Sequence, residues 1–518
     1  MVTIVGSRLV FFGDEWTFLI ERHGLTAATF LAPHNEHLSA VPVLVYLVLR
    51  GTIGMSSYLP YMALVAAVNA AIGFCLFLLI KRRAGTLVAL AGCVLFLLMG
   101  RGYEDVFWAF QVGWDTALLG GLVAFLLIED PAPLTLRRQV AILLALLLCV
   151  GSSGAGLVLF ALGAVSLLQR TRRRPWETWP AAIPALLYVA WYLAWGRTAV
   201  RAQVSILADL HYVVDGIGSC LLGAVGLGSE LSTVAVLVAG VFSVVVITAG
   251  FRPTRRTWLG VAGLLATFAL VATVRQQYGH ASSSRYIYSG AIFLVFLGAE
   301  VAAWMQVRFR AQARGVRRAA LGLALVVVVS DVGAGIQFFH GRHEAAILSK
   351  ATIGSMQFFR GSPTMDQDIT PDPAGMPGVS APVAYALFDR YGAPLHVETF
   401  EAWQRLPGPA ADTAASTLFL KAFRFSEVPA PTPGCGLPVD PRGTVLADGA
   451  SMTVQAVGPV QGHVWLSITG AAPQRAARLN LAAGSAARIT VPTTVRHLGW
   501  RVLLNGYVEG ARRCAASP

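Results

Sequence analysis

The stretch SSYLPYMALVAAVNAAIGFCLFLLIKRR, residues 56–83, decides the fold class. Its apolar run from 57 to 80 carries no charge until Lys81, Arg82 and Arg83. A helix needs roughly 20 apolar residues to cross the hydrocarbon core of a bilayer, and basic residues mark the loops that stay in the cytoplasm. The stretch therefore predicts a membrane-spanning helix that ends in a basic loop.

The composition extends this prediction to the whole chain. Of 518 residues, 55% are hydrophobic and only 13% are charged, and the mean hydropathy is +0.62. Such values exceed those of soluble domains and indicate a polytopic α-helical membrane protein surrounded by membrane lipids. The net charge of +13 comes from short Lys and Arg clusters between apolar runs, so a nucleic-acid partner is not expected.

Apolar runs long enough to span, or nearly so, recur along the chain up to residue 339. The ten predicted spans are 57–80, 84–100, 114–129, 139–151, 153–169, 179–195, 232–249, 257–273, 286–304 and 319–339. The pair around Gly151 to Gly154 is short, and a helical hairpin that turns near the outer surface is the alternative. The run Leu38 to Leu49 has about twelve residues and fits an interfacial helix better than a span.

Lys and Arg residues in alternate loops predict the orientation. One set of loops, those near residues 81–83, 137–138, 170–174, 252–256 and 308–318, holds 17 of them. The other set holds five: Arg101, Arg197, Arg201, Arg275 and Arg285. By the positive-inside rule, the first set is cytoplasmic. The N-terminal acidic loop and everything after residue 340 are then expected outside the cytoplasm.

The glycine-rich segment from Leu210 to Gly228 is interpreted as re-entrant or surface-lying. An additional span there would move the basic cluster 252–256 to the outer side. Non-helical backbone at membrane depth is tolerated where protein or a water-filled cavity covers it. We therefore expect this segment to wall a cavity.

The N-terminal 56 residues combine a short apolar run with an acidic loop. Residues 1–12 resemble the last turns of a spanning helix, and we expect the true start to lie upstream. The following stretch, FFGDEWTFLIERHGLTAATFLAPHNEHLSAVP at 11–42, holds Asp14 and Glu15 beside Trp16, and then Glu36 and His37. Acids at a membrane surface indicate either a reaction site or a solvated interfacial loop.

Two later outer loops carry further polar chemistry. Glu104 and Asp105 precede Trp108 in a loop where aromatic residues alternate with acids. This pattern fits a sugar-binding platform or an aromatic belt at the headgroup level. Arg275 and Arg285 can bind a phosphate through paired hydrogen bonds, or they can act as snorkelling anchors.

The chain changes character after residue 339. Alternating runs from about residue 443 onward predict strands, so residues 340–518 are expected to form an extracytoplasmic α/β or β-sandwich-like domain. Cys435 and Cys514 flank the strands, and an oxidising compartment favours a disulfide between them. Three regions are therefore predicted: 1–56, with the truncated helix, acidic loop and interfacial helix; 57–339, the multi-pass domain; and 340–518.

Several of these motifs together resemble the C-type glycosyltransferase superfamily (GT-C fold), in its bacterial polyprenyl-phosphate-sugar-dependent form. They are GDEW at 13–16, PHNEHLSAVP at 33–42, the break at Gly54 before the helix 56–83, GSSGAG at 151–156 and SRYIY at 284–288. The resemblance covers roughly residues 1–340. It implies an inverting enzyme at the outer face of a bacterial plasma membrane. The donor would be a polyprenyl-phosphate sugar, and the acceptor a cell-envelope glycan, lipid or protein.

The resemblance also implies roles for individual residues. Asp14 would be the general base, and Glu15 would orient the acceptor or help bind a divalent ion. Arg285, and secondarily Arg275, would bind the donor phosphate. Glu36, His37, Trp16, Glu104, Asp105 and Trp108 would line the substrate cavity. A Mg²⁺ or Mn²⁺ ion held by Asp14, Glu15 and His34 or His37 is an open alternative, since no ligand spacing is diagnostic.

A second function class competes with the enzyme. The chain could be a non-catalytic envelope scaffold, a glycan-binding protein or a transporter of lipid-linked substrates. A transporter places ionisable residues within its spans near the midplane, and Asp331 is the main such residue. Most other acids are predicted at the outer edge, which favours the enzyme.

Overall fold

The computed structural model describes residues 8–172, 174–198, 205–279, 281–309, 313–431 and 435–514. Most of the predicted truncated helix, residues 1–7, lies outside them. The chain divides into two compact units, described separately below. The helical unit comprises Glu21–Leu49 and Leu59–Arg342, and the mixed unit comprises Ser7–Ile20, Arg50–Tyr58 and His343–Pro518.

Helices dominate the chain as far as residue 358. In chain order they are α1 Asp14–Glu21, α2 Ala27–Leu31, α3 Ala40–Thr52, α4 Leu59–Leu97, α5 Tyr103–Phe107, α6 Val112–Glu129, α7 Leu136–Ser152, α8 Gly156–Arg170, α9 Trp179–Ala194, α10 Ile206–Gly223, α11 Ser232–Thr248, α12 Arg255–Arg275, α13 Ser284–Arg308 and α14 Ala313–Phe358. Among the described residues, seven helices are long and apolar enough to cross a membrane. Each of the ten predicted spans lies in a helix, so the helical membrane architecture is confirmed.

Helix α4 contains two of the predicted spans. Gly85 interrupts it with a φ of 80° and a ψ of 173°, a conformation that glycine adopts without the steric cost of a Cβ atom. The chain folds back at Gly85, as two close approaches between the halves show. A Cβ on Gly73 would lie 2.9 Å from Leu97, and one on Gly92 would lie 3.1 Å from Ile80. The two halves are therefore antiparallel, with Lys81, Arg82 and Arg83 close to the reversal.

Helix α10 occupies the segment predicted to be re-entrant or surface-lying. It is a regular helix of 18 residues, long and apolar enough to span. Three of its glycines lie against neighbouring helices. Gly216 faces Phe268, Gly218 faces Ser232 at the start of α11, and Gly223 faces Ile287 near the start of α13. The backbone is therefore helical rather than irregular, and the prediction that this segment lies at the surface stays a prediction.

The mixed unit contains two antiparallel sheets. Its remaining helices are α15 Ala381–Tyr391, α16 Phe400–Gln404 and α17 Gly408–Phe419, and its strands are β1 Arg424–Val428, β2 Leu437–Pro438, β3 Thr444–Leu446, β4 Ser451–Ala456, β5 Val460–Ser467, β6 Gln474–Leu481, β7 Ala486–Thr490, β8 Trp500–Tyr507 and β9 Ala511–Arg513. The sheet orders are β1-β7-β4-β9-β2 and β3-β8-β5-β6. The predicted C-terminal β domain is therefore present.

Alternating burial gives the sheets their core. In β4 the residues Met452, Val454 and Ala456 are buried, while those between them are partly exposed. Trp500 begins β8 fully buried and meets Phe419 edge-on at 5.5 Å. This period-two pattern places one face of each sheet against apolar side chains. Cys435 and Cys514, 79 residues apart, form a disulfide.

Candidate functional site

The helical unit contains a cavity of about 610 Å³, here called the head-and-tail cavity, with a charged end and an apolar wall. Its charged end is formed by Glu36, His37, Arg197 and Arg275. The apolar wall is formed by Leu157 and Val158 of α8 and by Leu270, Val271 and Val274 of α12. Aromatic side chains, Trp114, Tyr188, Tyr192 and Tyr286, complete the lining. The cavity can therefore hold a polar group next to an apolar chain.

A tight turn presents Glu36 and His37 to this cavity. The backbones of His34 and His37 exchange two hydrogen bonds of 3.0 Å, and Asn35 between them has a φ of 51°. Asparagine is among the residues that tolerate this left-handed conformation best. The His34 ring packs on Phe110 with centroids 5.3 Å apart, which anchors the turn.

Arg275 and Glu36 form the central ion pair of the charged end. The Arg275 Nε and Nη2 atoms lie 2.7 and 2.6 Å from Glu36 Oε1. His37 Nε2 lies 3.5 Å from the same oxygen. Burial, with Arg275 and Arg285 nearby, lowers the pKa of His37 to about 4, although Glu36 opposes the shift. His37 is therefore neutral near pH 7, and one ring nitrogen can donate a hydrogen bond.

Aromatic residues hold the inner wall in place. The Trp114 indole N–H donates to Ser289 Oγ at 2.7 Å, and its ring packs against Tyr286 at 5.9 Å. Trp114 also meets His37 edge-on at 6.3 Å. Gly154 leaves room for the His37 ring, since a Cβ there would lie 2.4 Å from Nδ1. Trp114 and Gly154 therefore pack directly against the His37 ring.

Arg285 lines a different, hydroxyl-rich cavity of about 420 Å³. Its Nη1 atom lies 3.4 Å from Glu104 Oε2, and the Glu104 backbone N–H donates to Ser284 Oγ at 3.0 Å. Arg101, Ser219 and a run of three serines at 282–284 share this cavity. The buried Ser219 hydroxyl has no hydrogen-bond partner among the described residues. The hydroxyl-rich cavity can therefore bind a ligand with hydroxyl or anionic groups.

Asp105 lies in neither cavity, which differs from the prediction that it lines the substrate site. It is fully buried in the helical unit, beside the carboxyl group of Asp115. Asn69 Nδ2 donates to Asp115 Oδ2 at 2.8 Å and to the Asp105 carbonyl at 2.9 Å, and Tyr288 OH donates to Asn69 Oδ1. Burial and the neighbouring Glu104 carboxylate raise the pKa of Asp105 well above its usual range. Asp105 is therefore a packed acid whose protonated form is favoured.

Trp108 also lies outside the two cavities. Its ring packs on Phe110 with centroids 5.3 Å apart, and the Arg342 guanidinium lies 6.0 Å from its centroid. The ring is partly exposed. Trp108 thus lies next to Phe110, which packs on the His34 ring, and its predicted role in the substrate cavity stays a prediction.

Asp14, Glu15 and Trp16 belong to the mixed unit, and the last two are fully buried there. Glu15 accepts hydrogen bonds from the Phe12 N–H at 2.8 Å and from Tyr58 OH at 3.1 Å. The Trp16 N–H donates to the Phe11 carbonyl at 3.1 Å, and no face of its ring is exposed for a sugar. The structure thus places Trp16 in the core of the mixed unit, and its predicted role in the substrate cavity stays a prediction. Asp14 is half-buried at the first position of α1.

The metal hypothesis gains no ligand set. Among the described residues, no group of three or more His, Cys, Asp or Glu side chains is placed to hold a metal ion. Asp14 and Glu15 lie in the mixed unit, and His34 and His37 lie in the helical unit.

Most residues of the head-and-tail cavity were not predicted from the sequence as site residues, among them Arg197, Tyr188, Tyr192 and Trp114. Tyr188 and Tyr192 are four residues apart on α9, so they share a face, and Arg197 follows the end of that helix. The sequence signal that could have identified these three residues is an aromatic pair on one helix face, followed by an arginine at the membrane surface. Trp114 could not be distinguished from an ordinary interfacial tryptophan.

Comparisons with known proteins add one structural likeness. No family model matches the sequence, and no curated protein matches it. The chain is similar to the crystal structure of ArnT from Cupriavidus metallidurans bound to undecaprenyl phosphate, with 15% sequence identity and a TM-score of 0.45. The likeness covers 78% of this chain and 85% of that one.

Proposed function

We propose that the protein is an inverting membrane glycosyltransferase of the C-type. It moves a sugar from a polyprenyl-phosphate donor to a cell-envelope acceptor at the outer face of a bacterial plasma membrane. The observation that carries the proposal is the head-and-tail cavity, where a charged end adjoins an apolar wall. A prenyl phosphate has the same division into an anionic head and an apolar chain.

The donor phosphate is assigned to the charged end. Arg275 lies on the cavity wall, whereas Arg285 lines the hydroxyl-rich cavity, so Arg275 becomes the first choice and Arg285 the second. Guanidinium groups bind phosphate through charge-assisted hydrogen bonds, and these stabilise the charge that develops on the leaving phosphate. Arg197 supplies a second positive charge to the same cavity. Leu270, Val271 and Val274 would contact the first prenyl units.

The acceptor is assigned to the side of Glu104 and Arg285. Their ion pair and the serines at 282–284 offer hydrogen bonds to sugar hydroxyls. Asp14 is the proposed general base, because Glu15 is buried with its own donors while Asp14 is half-buried. In the reaction, an acceptor oxygen attacks the anomeric carbon and its proton passes to the carboxylate of Asp14. The bond from that carbon to the phosphate oxygen breaks, and polyprenyl phosphate leaves with the electron pair.

Donor binding by purified protein in lipid vesicles tests the proposal. Radiolabelled polyprenyl-phosphate sugars would be titrated against wild type, Arg275→Gln and the matched control Arg137→Gln, an exposed arginine outside the cavity. Arg275→Gln is expected to weaken binding about tenfold or more, since one charge-assisted contact contributes roughly 1.5–3 kcal/mol. The control should bind like wild type. Equal binding by both variants would remove Arg275 from the phosphate site.

Transfer to envelope extract distinguishes the enzyme from its competitors. If wild type transfers sugar from none of the donors but retains envelope glycan, a glycan-binding scaffold replaces the enzyme. If labelled donor crosses the vesicle membrane without transfer, a transporter does. Asp331, the main transporter residue, accepts a hydrogen bond from the Gly100 N–H at 3.2 Å, in the connection that follows α4. This bond uses Oδ1, whereas the buried Oδ2 has no hydrogen-bond partner among the described residues.

A further inference from the structure

The arginine-rich end of the helical unit contains another cavity, of about 820 Å³, here called the basic cavity. Five arginines line it: Arg82, Arg83, Arg170, Arg255 and Arg256. Arg255 begins α12 and Arg275 ends it, 21 residues in all, so the basic cavity lies roughly 30 Å from the head-and-tail cavity. It belongs to the end that the positive-inside rule assigns to the cytoplasm.

Acidic side chains compensate only part of this positive charge. The two lining acids are Glu129, which pairs with Arg256 at 2.6 Å, and Asp130, which Arg82 and Arg138 share at 3.8 and 3.4 Å. Arg83 pairs with Glu300, just outside the cavity, at 2.9 Å. Since Arg138 and Glu300 offset each other, five lining arginines face two lining carboxylates. A surplus of three positive charges remains.

Arg170 and Arg255 account for most of the surplus. Arg170 donates to the backbone carbonyls of Ile128, Asp130 and Ala132, just at and beyond the end of α6. These contacts fix its guanidinium in the cavity without neutralising it. Arg255 has no ion pair among the described residues and is exposed. Two arginines are therefore positioned to receive an anion.

The surroundings of the basic cavity indicate a lipid rather than a soluble anion. Trp258, three residues after Arg255 and so on the same helix face, is 62% exposed, and Val165, four residues before the lining Gln169, is 43% exposed. Exposed apolar side chains next to a charged cavity are typical of a surface that meets acyl chains. A small apolar pocket of about 50 Å³ also shares Arg83, Glu129 and Arg256 with the basic cavity.

We propose that the basic cavity binds the headgroup of an anionic phospholipid. The phosphate would lie between Arg170 and Arg255, and the first carbons of the lipid would extend toward the apolar pocket. Each arginine near an anionic headgroup contributes about 1 kcal/mol, which is roughly fivefold in affinity. No residue of the basic cavity takes part in the proposed sugar transfer, so the two proposals fail or stand separately.

Native mass spectrometry of the full-length protein tests this proposal. Phosphatidylglycerol, cardiolipin and zwitterionic phosphatidylcholine would be titrated against wild type and the double variant Arg170→Gln/Arg255→Gln. Wild type is expected to bind the anionic lipids at least tenfold more tightly than phosphatidylcholine, and the double variant to lose about 25-fold of that affinity. The control Arg137→Gln/Arg308→Gln removes the same charge from outside the cavity and should bind like wild type.

A single variant and a competition experiment separate lipid binding from misfolding and from binding of soluble anions. Arg255→Gln alone changes an exposed side chain, so it should keep the melting temperature of wild type and lose about fivefold in lipid affinity. Inorganic phosphate and glycerol phosphate, added as competitors, should displace the lipid only at concentrations far above those of the lipid. Equal affinity for the soluble phosphates would make this a soluble-anion site. Equal lipid binding by wild type and the double variant would overturn the proposal.

Discussion

Two tandem acid pairs, Asp14-Glu15 and Glu104-Asp105, lie in different units and divide in the same way. In each pair the first acid is partly exposed and the second is fully buried. Both pairs are in the first turn of a helix, where neighbouring side chains point about 100° apart and cannot share a face. Two consecutive acids in such a helix therefore cannot be assumed to act on one substrate.

The buried members of the pairs differ in what surrounds them. Glu15 receives a backbone N–H and the Tyr58 hydroxyl, so its charge is compensated by donors. Neither Asp105 carboxyl oxygen receives a hydrogen bond from an amide, hydroxyl or guanidinium of the described residues. It lies instead beside the Asp115 carboxyl. Hydrogen-bond donors favour the charged form of a buried acid, whereas burial beside another acid favours the protonated form, as for Asp105.

The largest expected effect is that of Glu15→Ala on stability. The substitution removes the carboxylate that accepts hydrogen bonds from Tyr58 OH and the Phe12 N–H, and losing a hydrogen bond to a buried charged group costs roughly 1.5–3 kcal/mol. We expect a loss of about 2–5 kcal/mol, read from thermal unfolding of the purified protein. Tyr58→Phe, which removes one of the two donors, should cost about 1 kcal/mol. A neutral result for Glu15→Ala would contradict the donor-compensated assignment.

Asp105→Asn is expected to have a smaller and pH-dependent effect. Because the pKa of Asp105 is raised in the folded protein, the native state binds a proton that the unfolded state has released. Wild-type stability therefore falls as the pH rises from the usual carboxyl range through the raised pKa. The asparagine variant should lie within about 1 kcal/mol of wild type at low pH and lose this slope. Melting temperatures of wild type and Asp105→Asn, measured between pH 5 and pH 9, should diverge as the pH rises. Parallel pH dependence of the two proteins would contradict the raised pKa of Asp105.

Glu104→Gln should change stability by no more than about 1 kcal/mol, since its ion pair with Arg285 is partly exposed. Its main effect would be on acceptor binding. We expect the KM for the acceptor to rise several-fold while donor binding stays unchanged. Steady-state transfer with each substrate varied in turn separates the two constants. An effect on the donor alone would move Glu104 to the other substrate.

Asp14→Asn should change stability least, by about 0.3–1 kcal/mol, because the amide keeps the shape of the side chain and loses a favourable charge at a helix N-terminus. Transfer should nevertheless fall by roughly 10²–10⁴-fold if Asp14 is the general base. Comparing the rate of transfer with the melting temperature separates the two effects. Full transfer by this variant would end the base assignment and leave the pair without a catalytic member.

The sequence predicted what depends on local pattern. Apolar runs predicted the helices of the helical unit, and the alternation of apolar and polar residues predicted strands such as β4 and β8. The sequence could not predict which acid of a pair is buried, because residues far along the chain decide the burial. Glu15 is covered by Tyr58, and Asp105 by Asn69 and Tyr288. Arg197 was likewise assigned only to a loop, since its place in a cavity depends on α8 and α12 rather than on its neighbours.

If the donor phosphate binds at Arg275 as proposed, the Arg275–Glu36 pair makes its entry an exchange of counter-ions. The guanidinium already has a carboxylate at 2.6 Å, so an arriving phosphate competes with a resident anion instead of meeting a bare charge. A neutral lipid that displaced Glu36 would leave Arg275 without a charge-assisted hydrogen bond. A phosphate would replace the bond to Glu36 with one of the same kind. The displaced carboxylate would then be released beside His37, ready to accept a hydrogen bond from the sugar itself.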